Sequence, residues 1–103
     1  MAGDGGLAQY LAEWTTVVRH GMDIKLVVLN NNELGKISKE QRSLQLDVWA
    51  TDLVNPDFAA YARSCGSQGL QVSRSEELEG AMQQLMETRG PALLEIHTDV
   101  GLI

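Results

Sequence analysis

The stretch "IKLVVLNNN" (residues 24–32) decides how this chain is read. Ile24 to Leu29 is short and rich in β-branched residues, which predicts a strand buried in a parallel sheet. The three asparagines after it predict a polar turn at the carboxyl end of that strand. A parallel sheet needs crossover helices on both sides, and the flanking sequence supplies them.

Upstream, Leu7, Leu11, Trp14 and Val18 recur at helical spacing, which predicts an amphipathic helix from Leu7 to His20 that stops at Gly21. Downstream, a short helix is expected near Ile37 to Leu46, then a loop carrying Val48 and Trp49. In "NPDFAAYARSCG" (residues 55–66), Asn55 reads as an N-cap and Pro56 as the first helical residue. Phe58, Ala59 and Ala62 share one face there, and Gly66 terminates the helix. A short strand is expected at Leu70 to Val72. "SRSEELEGAMQQLMETRG" (residues 73–90) then opens on a serine cap with an acidic first turn and ends at Gly90. "PALLEIHT" (residues 91–98) reads as the last strand.

The expected fold class is therefore α/β, a small parallel sheet of three complete strands with flanking helices in one domain spanning residues 1–103. Met1 and Ala2 read as the stub of a fourth strand, with its remainder expected upstream.

A net charge of −6 with only eight Lys and Arg leaves no basic patch for nucleic acid. Apolar runs are only a few residues long, too short for a membrane span, and no signal peptide is visible, so the expected location is cytoplasmic. Cys65, the single cysteine, reads as a small core residue. Trp14 reads as core, Trp49 as a loop anchor, His20 as a surface residue at a helix end and His97 as a strand-end residue.

The amino terminus, "MAGDGGLAQY" (residues 1–10), places Gly3, Asp4, Gly5 and Gly6 directly before a helix. Glycines leave backbone N–H groups bare to meet phosphate oxygens at a helix start. Asp4 in that position repels phosphate unless a cation lies between them. In open α/β sheets ligands bind beyond the carboxyl ends of the strands, where both the glycine loop and the Asn30 to Glu33 loop are expected. One carboxylate, an amide oxygen, a backbone carbonyl and phosphate oxygens form the all-oxygen shell that suits Mg²⁺.

"GDG" at residues 3–5 followed by "NN" at residues 30–31 resembles the cofactor motif of thiamine diphosphate-dependent enzymes. The likeness continues through "LNNNELGKISKEQ" and "GPALLEIHTD", and resembles the C-terminal part of the diphosphate-binding domain in the pyruvate oxidase and acetolactate synthase branch. This resemblance implies a truncated half of that fold, lacking its upstream strands. It implies thiamine diphosphate and Mg²⁺ as cofactors, with Asp4, Asn31 and the Glu33 carbonyl as metal ligands. Gly3, Gly5 and Gly6 would border the diphosphate, with Leu34 and Gly35 approaching from the second loop. Lys36 and Glu40 would lie near the substrate, although a charged residue at Lys36 departs from the family pattern.

By the same resemblance the parent reaction is decarboxylation of a 2-keto acid such as pyruvate. No catalytic residue is assigned within this chain, because the glutamate that activates the cofactor belongs to another domain, usually on a second subunit. The isolated chain is expected to be inactive and to associate with missing domains of a parent enzyme or with a second copy of itself. Two alternatives stand beside this reading. One is a non-catalytic, self-associating remnant; the other is an unrelated phosphate-binding α/β domain.

Overall fold

A computed structural model describes residues 1–98; Asp99, which ends the resemblance stretch, and the rest of the 1–103 span lie outside the described residues. Four strands form one sheet in the order β1-β2-β4-β3, with β1 at Ala2–Gly3, β2 at Lys25–Asn30, β3 at Gln68–Val72 and β4 at Ala92–His97. All neighbours run parallel. The expected stub is a genuine edge strand, since Ala2 pairs with Val28 and Gly3 with Leu29. The last strand in sequence, β4, lies between β2 and β3.

Both faces of the sheet are covered, as a parallel sheet requires. On one face Trp14, Val28, Phe58, Ala62 and Leu93 form a buried cluster, with Leu7 and Leu11 against it. On the other, Val72, Leu85, Ala92 and Leu94 pack with Leu78 and Met82. Consecutive residues of β4 thus serve opposite faces, Leu93 toward one layer and Leu94 toward the other.

The helices differ from the sequence expectation in instructive ways. Instead of one helix over 7–20 there are two, α1 at Asp4–Ala8 and α2 at Glu13–Arg19. Tighter bonds join them: Tyr10 N donates to the Leu7 carbonyl, and Glu13 N to that of Tyr10. The start moves back to Asp4 because β1 ends at Gly3 and delivers the chain straight into a turn.

Helix α3 spans Gly35–Ser43, earlier than the expected 37–46. Helix α4 spans Phe58–Ser64 and is capped by Asp57, whose Oδ1 accepts from Ala60 N at 2.9 Å. Asn55 is therefore not the cap, and its side chain is free for other work. Helix α5 spans Ser75–Glu87 with Arg74 at the N-cap position and no side-chain cap, so the expected serine cap does not form. Gly21 and Gly66 hold as stops, each at positive φ just past a C-cap, whereas α5 ends at Glu87 with Thr88 at its C-cap in extended backbone, ahead of Gly90.

Trp14 is buried at 4% exposure, whereas Trp49 is 78% exposed and only its backbone is tied, through Gln41. Cys65 is half-buried at the C-cap of α4.

Candidate functional site

Strands β1 and β2 run parallel, so their carboxyl ends open on the same side of the sheet. Asp4 follows β1 directly and Asn31 follows β2 directly, and both line one cavity of about 430 Å³. Gly3, Gly6 and Glu33 line it as well, and Leu34, Gly35 and Lys36 close it from the start of α3. A Cβ built on Gly3 or Gly6 meets no protein atom within 4 Å.

Gly5 and Glu40 lie elsewhere. Leu34 and Leu53 cover Gly5 so closely that a Cβ there would fall 2.9 Å from Leu34 Cδ2, and these side-chain ends would have to shift to admit one. Glu40 borders a neighbouring surface hollow with Lys39 and Ser43, and Lys36 reaches both spaces.

The asparagine loop is shaped by its own side chains. Asn32 sits at φ 58°, the left-handed region that asparagine tolerates better than most side chains. Its backbone N–H then points at two acceptors, Asp4 Oδ2 at 2.9 Å and Asn30 Oδ1 at 3.1 Å. Asn31 Oδ1 accepts from Glu33 N at 3.2 Å, an Asx turn that orients the amide. The loop is braced from outside by Thr51 and Leu53. Leu34 N donates to the Thr51 carbonyl at 2.8 Å, and Leu53 N to the Asn32 carbonyl at 2.9 Å.

Asp4 is only 4% exposed, yet among the described residues no basic side chain pairs with its carboxylate. Oδ2 takes two donors, Asn32 N and Asn55 Nδ2 at 2.7 Å. Oδ1 takes no hydrogen bond from the described residues, and neither does the Glu33 carbonyl. The Glu33 side chain is occupied elsewhere, accepting from Thr51 Oγ1 at 3.3 Å with Arg42 at 3.8 Å.

These oxygens answer the question of whether the residues present suit Mg²⁺. One carboxylate oxygen, one amide oxygen and one carbonyl oxygen are hard donors of the right class. Among the described residues no cluster of three or more His, Cys, Asp or Glu side chains forms, so a metal held by protein ligands alone has no site of that type. The donor set fits a hard cation that completes its shell with other oxygens.

Behind the loop lies a buried polar chain that sequence reasoning did not anticipate. Asn30, 2% exposed, donates through Nδ2 to Glu95 Oε2 at 2.7 Å, and Glu95 itself is 1% exposed in the middle of the sheet. Glu95 Oε1 accepts from Ala59 N in the first turn of α4 at 3.2 Å. His97 Nε2 lies 3.7 Å from Glu95 and shares a 2.8 Å contact with Gln71. The signal was present in "ALLEI", where one carboxylate interrupts a strand otherwise buried on both faces. No helix among the described residues is long and apolar enough to cross a membrane.

Comparison with known proteins agrees with this arrangement. Residues 1–96 match the family described as "Thiamine pyrophosphate enzyme, C-terminal TPP binding domain". The chain is similar to YdaP of Bacillus subtilis, provisionally named as thiamine pyrophosphate-containing, at 34% identity over 93% of this chain and 17% of that protein. It is also similar to the mitochondrial acetolactate synthase catalytic subunit of Saccharomyces cerevisiae, at 34% identity over 94% of this chain and 14% of the relative. The corresponding subunit of Aspergillus candidus is 37% identical over the same shares, 94% and 14%. The chain thus spans less than a fifth of the length of these relatives. It belongs to the family of C-terminal thiamine pyrophosphate-binding domains of thiamine pyrophosphate enzymes.

Proposed function

We propose that this chain is the Mg²⁺ and diphosphate anchor of an enzyme that decarboxylates a 2-keto acid such as pyruvate, of the acetolactate synthase or pyruvate oxidase type. The observation that carries the reading is the convergence of Asp4 and Asn31 on one cavity at the carboxyl ends of β1 and β2. Asp4 Oδ1, Asn31 Oδ1 and the Glu33 carbonyl would hold the cation. Backbone groups at Gly3, Gly6, Leu34 and Gly35 would meet the diphosphate. Gly5 would contribute by letting the second loop close over the first rather than by lining the cavity.

Thiamine diphosphate, when bound, supplies the carbon nucleophile and electron sink for decarboxylation. The residues of this chain position it. Asp4 and the loop amides fix the cation, and Leu34 and Ile37 give the cavity apolar walls. Lys36 borders the same space and places a positive charge where a substrate carboxylate could be met, with Glu40 one helical turn further on. The group that activates the cofactor lies, by resemblance, on another domain, so the chain alone is expected to show no turnover.

Isothermal titration of the chain with thiamine diphosphate, with and without Mg²⁺, tests the reading. Binding should require the metal and disappear in Asp4→Ala and in Asn31→Ala. Binding of inorganic phosphate that is equally tight without metal, and unaffected by Asp4→Ala, would overturn it in favour of a general phosphate-binding domain.

The segment after α3 supports self-association, or docking onto the remaining domains of a parent enzyme. Leu44, Leu46, Trp49 and Val54 are 59–102% exposed there, four large apolar side chains within eleven residues that a partner could cover. Light scattering should show a mass that rises with concentration; a constant monomer mass would count against a second copy.

A further inference from the structure

The half-buried Asn55 stands outside every helix and strand, yet its amide nitrogen lies among three side-chain oxygens. Asp4 Oδ2 is at 2.7 Å, Asn30 Oδ1 at 3.0 Å and Asn32 Oδ1 at 3.3 Å. A neutral amide nitrogen carries two hydrogens, so the two short contacts take one each and Asn32 shares at longer range. The donor links the carboxylate that follows β1 to the asparagine loop that follows β2. These two elements otherwise meet at Asp4 only through the Asn32 backbone N–H.

Each contact has a consequence for the carboxylate. Asp4 could rotate about its last side-chain bond and offer either oxygen to either side; that torsion is broad and roughly two-fold. With Asn55 and Asn32 both donating to Oδ2, the rotation is fixed and Oδ1 is the oxygen left without a donor. The anchor of Asn55 is itself fixed. Asn30 Oδ1 must face Asn55, because its Nδ2 is committed to buried Glu95 at 2.7 Å. Glu95 thus sets Asn30, Asn30 and Asp4 together hold Asn55, and Asn55 sets which oxygen Asp4 presents.

We propose that Asn55 is a positioning residue of the cation site, an inference that rests on the function proposed above. It does not ligate the cation. It holds the Asp4 carboxylate in one orientation and pins it to the asparagine loop, so that the metal-binding oxygens are arranged before the ligand arrives. Groups that orient metal ligands in this way typically contribute 10-fold to 100-fold to metal affinity.

The test uses the whole chain and two readouts, the Mg²⁺-dependent dissociation constant for thiamine diphosphate and the thermal midpoint without ligand. Asn55→Ala should weaken Mg²⁺-dependent binding about 10-fold to 100-fold. Asp57→Ala, which removes the α4 cap two residues away, serves as the control for general destabilisation. It should lower the thermal midpoint and leave Mg²⁺-dependent binding unchanged. Metal-dependent binding by the unaltered chain together with equally tight binding by Asn55→Ala would overturn this inference alone. Equal weakening of binding in Asp57→Ala would overturn it too, since the loss would then follow general destabilisation of this segment. No binding by the unaltered chain would overturn both this inference and the function on which it rests.

Discussion

Glu95 and Asn30 join the middle of the sheet to the candidate site: the buried Asn30 amide donates to the buried Glu95 carboxylate at 2.7 Å across the β2 and β4 pair. The other oxygen of the same carboxylate receives the Ala59 N–H at the start of α4. A carboxylate in such a place is tolerated only because both oxygens are met by donors. Glu95→Gln keeps the shape but turns one acceptor into an NH₂ group that faces a donor. We expect a loss of about 2 kcal/mol, in the range for a hydrogen bond to a charged group, read as a lower urea midpoint with unchanged slope. An unchanged midpoint would show that the carboxylate contributes nothing there.

Two glycines should respond to alanine with opposite signs. At Gly69 on β3 a Cβ would lie 2.2 Å from the Ala59 carbonyl oxygen, so α4 must move away from the sheet. Gly69→Ala should cost about 1–3 kcal/mol, as overpacking does. Gly80 lies exposed inside α5, and a Cβ there meets nothing within 4 Å. Gly80→Ala should stabilise by about 0.5–1 kcal/mol through lower backbone entropy in the unfolded chain. Thermal unfolding of the two variants side by side checks both signs.

Asp57 rather than Asn55 caps α4, and the two can be separated by measurement. Asp57→Ala should lower stability by about 1 kcal/mol while leaving Mg²⁺-dependent binding unchanged. If Asp57→Ala weakened binding as much as Asn55→Ala, the division of labour between them would be wrong.

Tyr61 provides an alkaline marker. Its hydroxyl donates to the Leu11 carbonyl at 3.1 Å, and burial, aided by the neighbouring Cys65, raises its pKa above the ordinary tyrosine value of 10.0. A raised folded value means that the neutral hydroxyl contributes its stability fully below pH 10.0, and that this contribution is lost as pH climbs through the folded value. Tyr61→Phe should cost about 1 kcal/mol at neutral pH and flatten the decline in stability above pH 10, followed by urea unfolding across pH. A decline as steep in the phenylalanine variant would assign the alkaline loss to other groups.

Much of this protein is legible in the sequence because its signals are local. The buried strands show in runs such as "KLVVL" and "ALLEI", and two helix ends show at Gly21 and Gly66, where a positive φ suits glycine above all. The motif pair at residues 3–5 and 30–31 falls at the carboxyl ends of two neighbouring parallel strands, as strand polarity alone requires.

Other features depend on partners far away in the chain. Whether Asn55 caps α4 or reaches Asp4 could not be read from "NPDF", since asparagine and aspartate both cap helices and only the fold brings Asp4 within 2.7 Å. The covering of Gly5 by Leu34 and Leu53, and the meeting of Glu95 with Asn30 and Ala59, likewise follow from how strands and helices stack. Periodicity and glycine placement report what a residue does to its own backbone. Which oxygen a carboxylate leaves open is set by donors delivered from other elements, and those exist only once the sheet has closed.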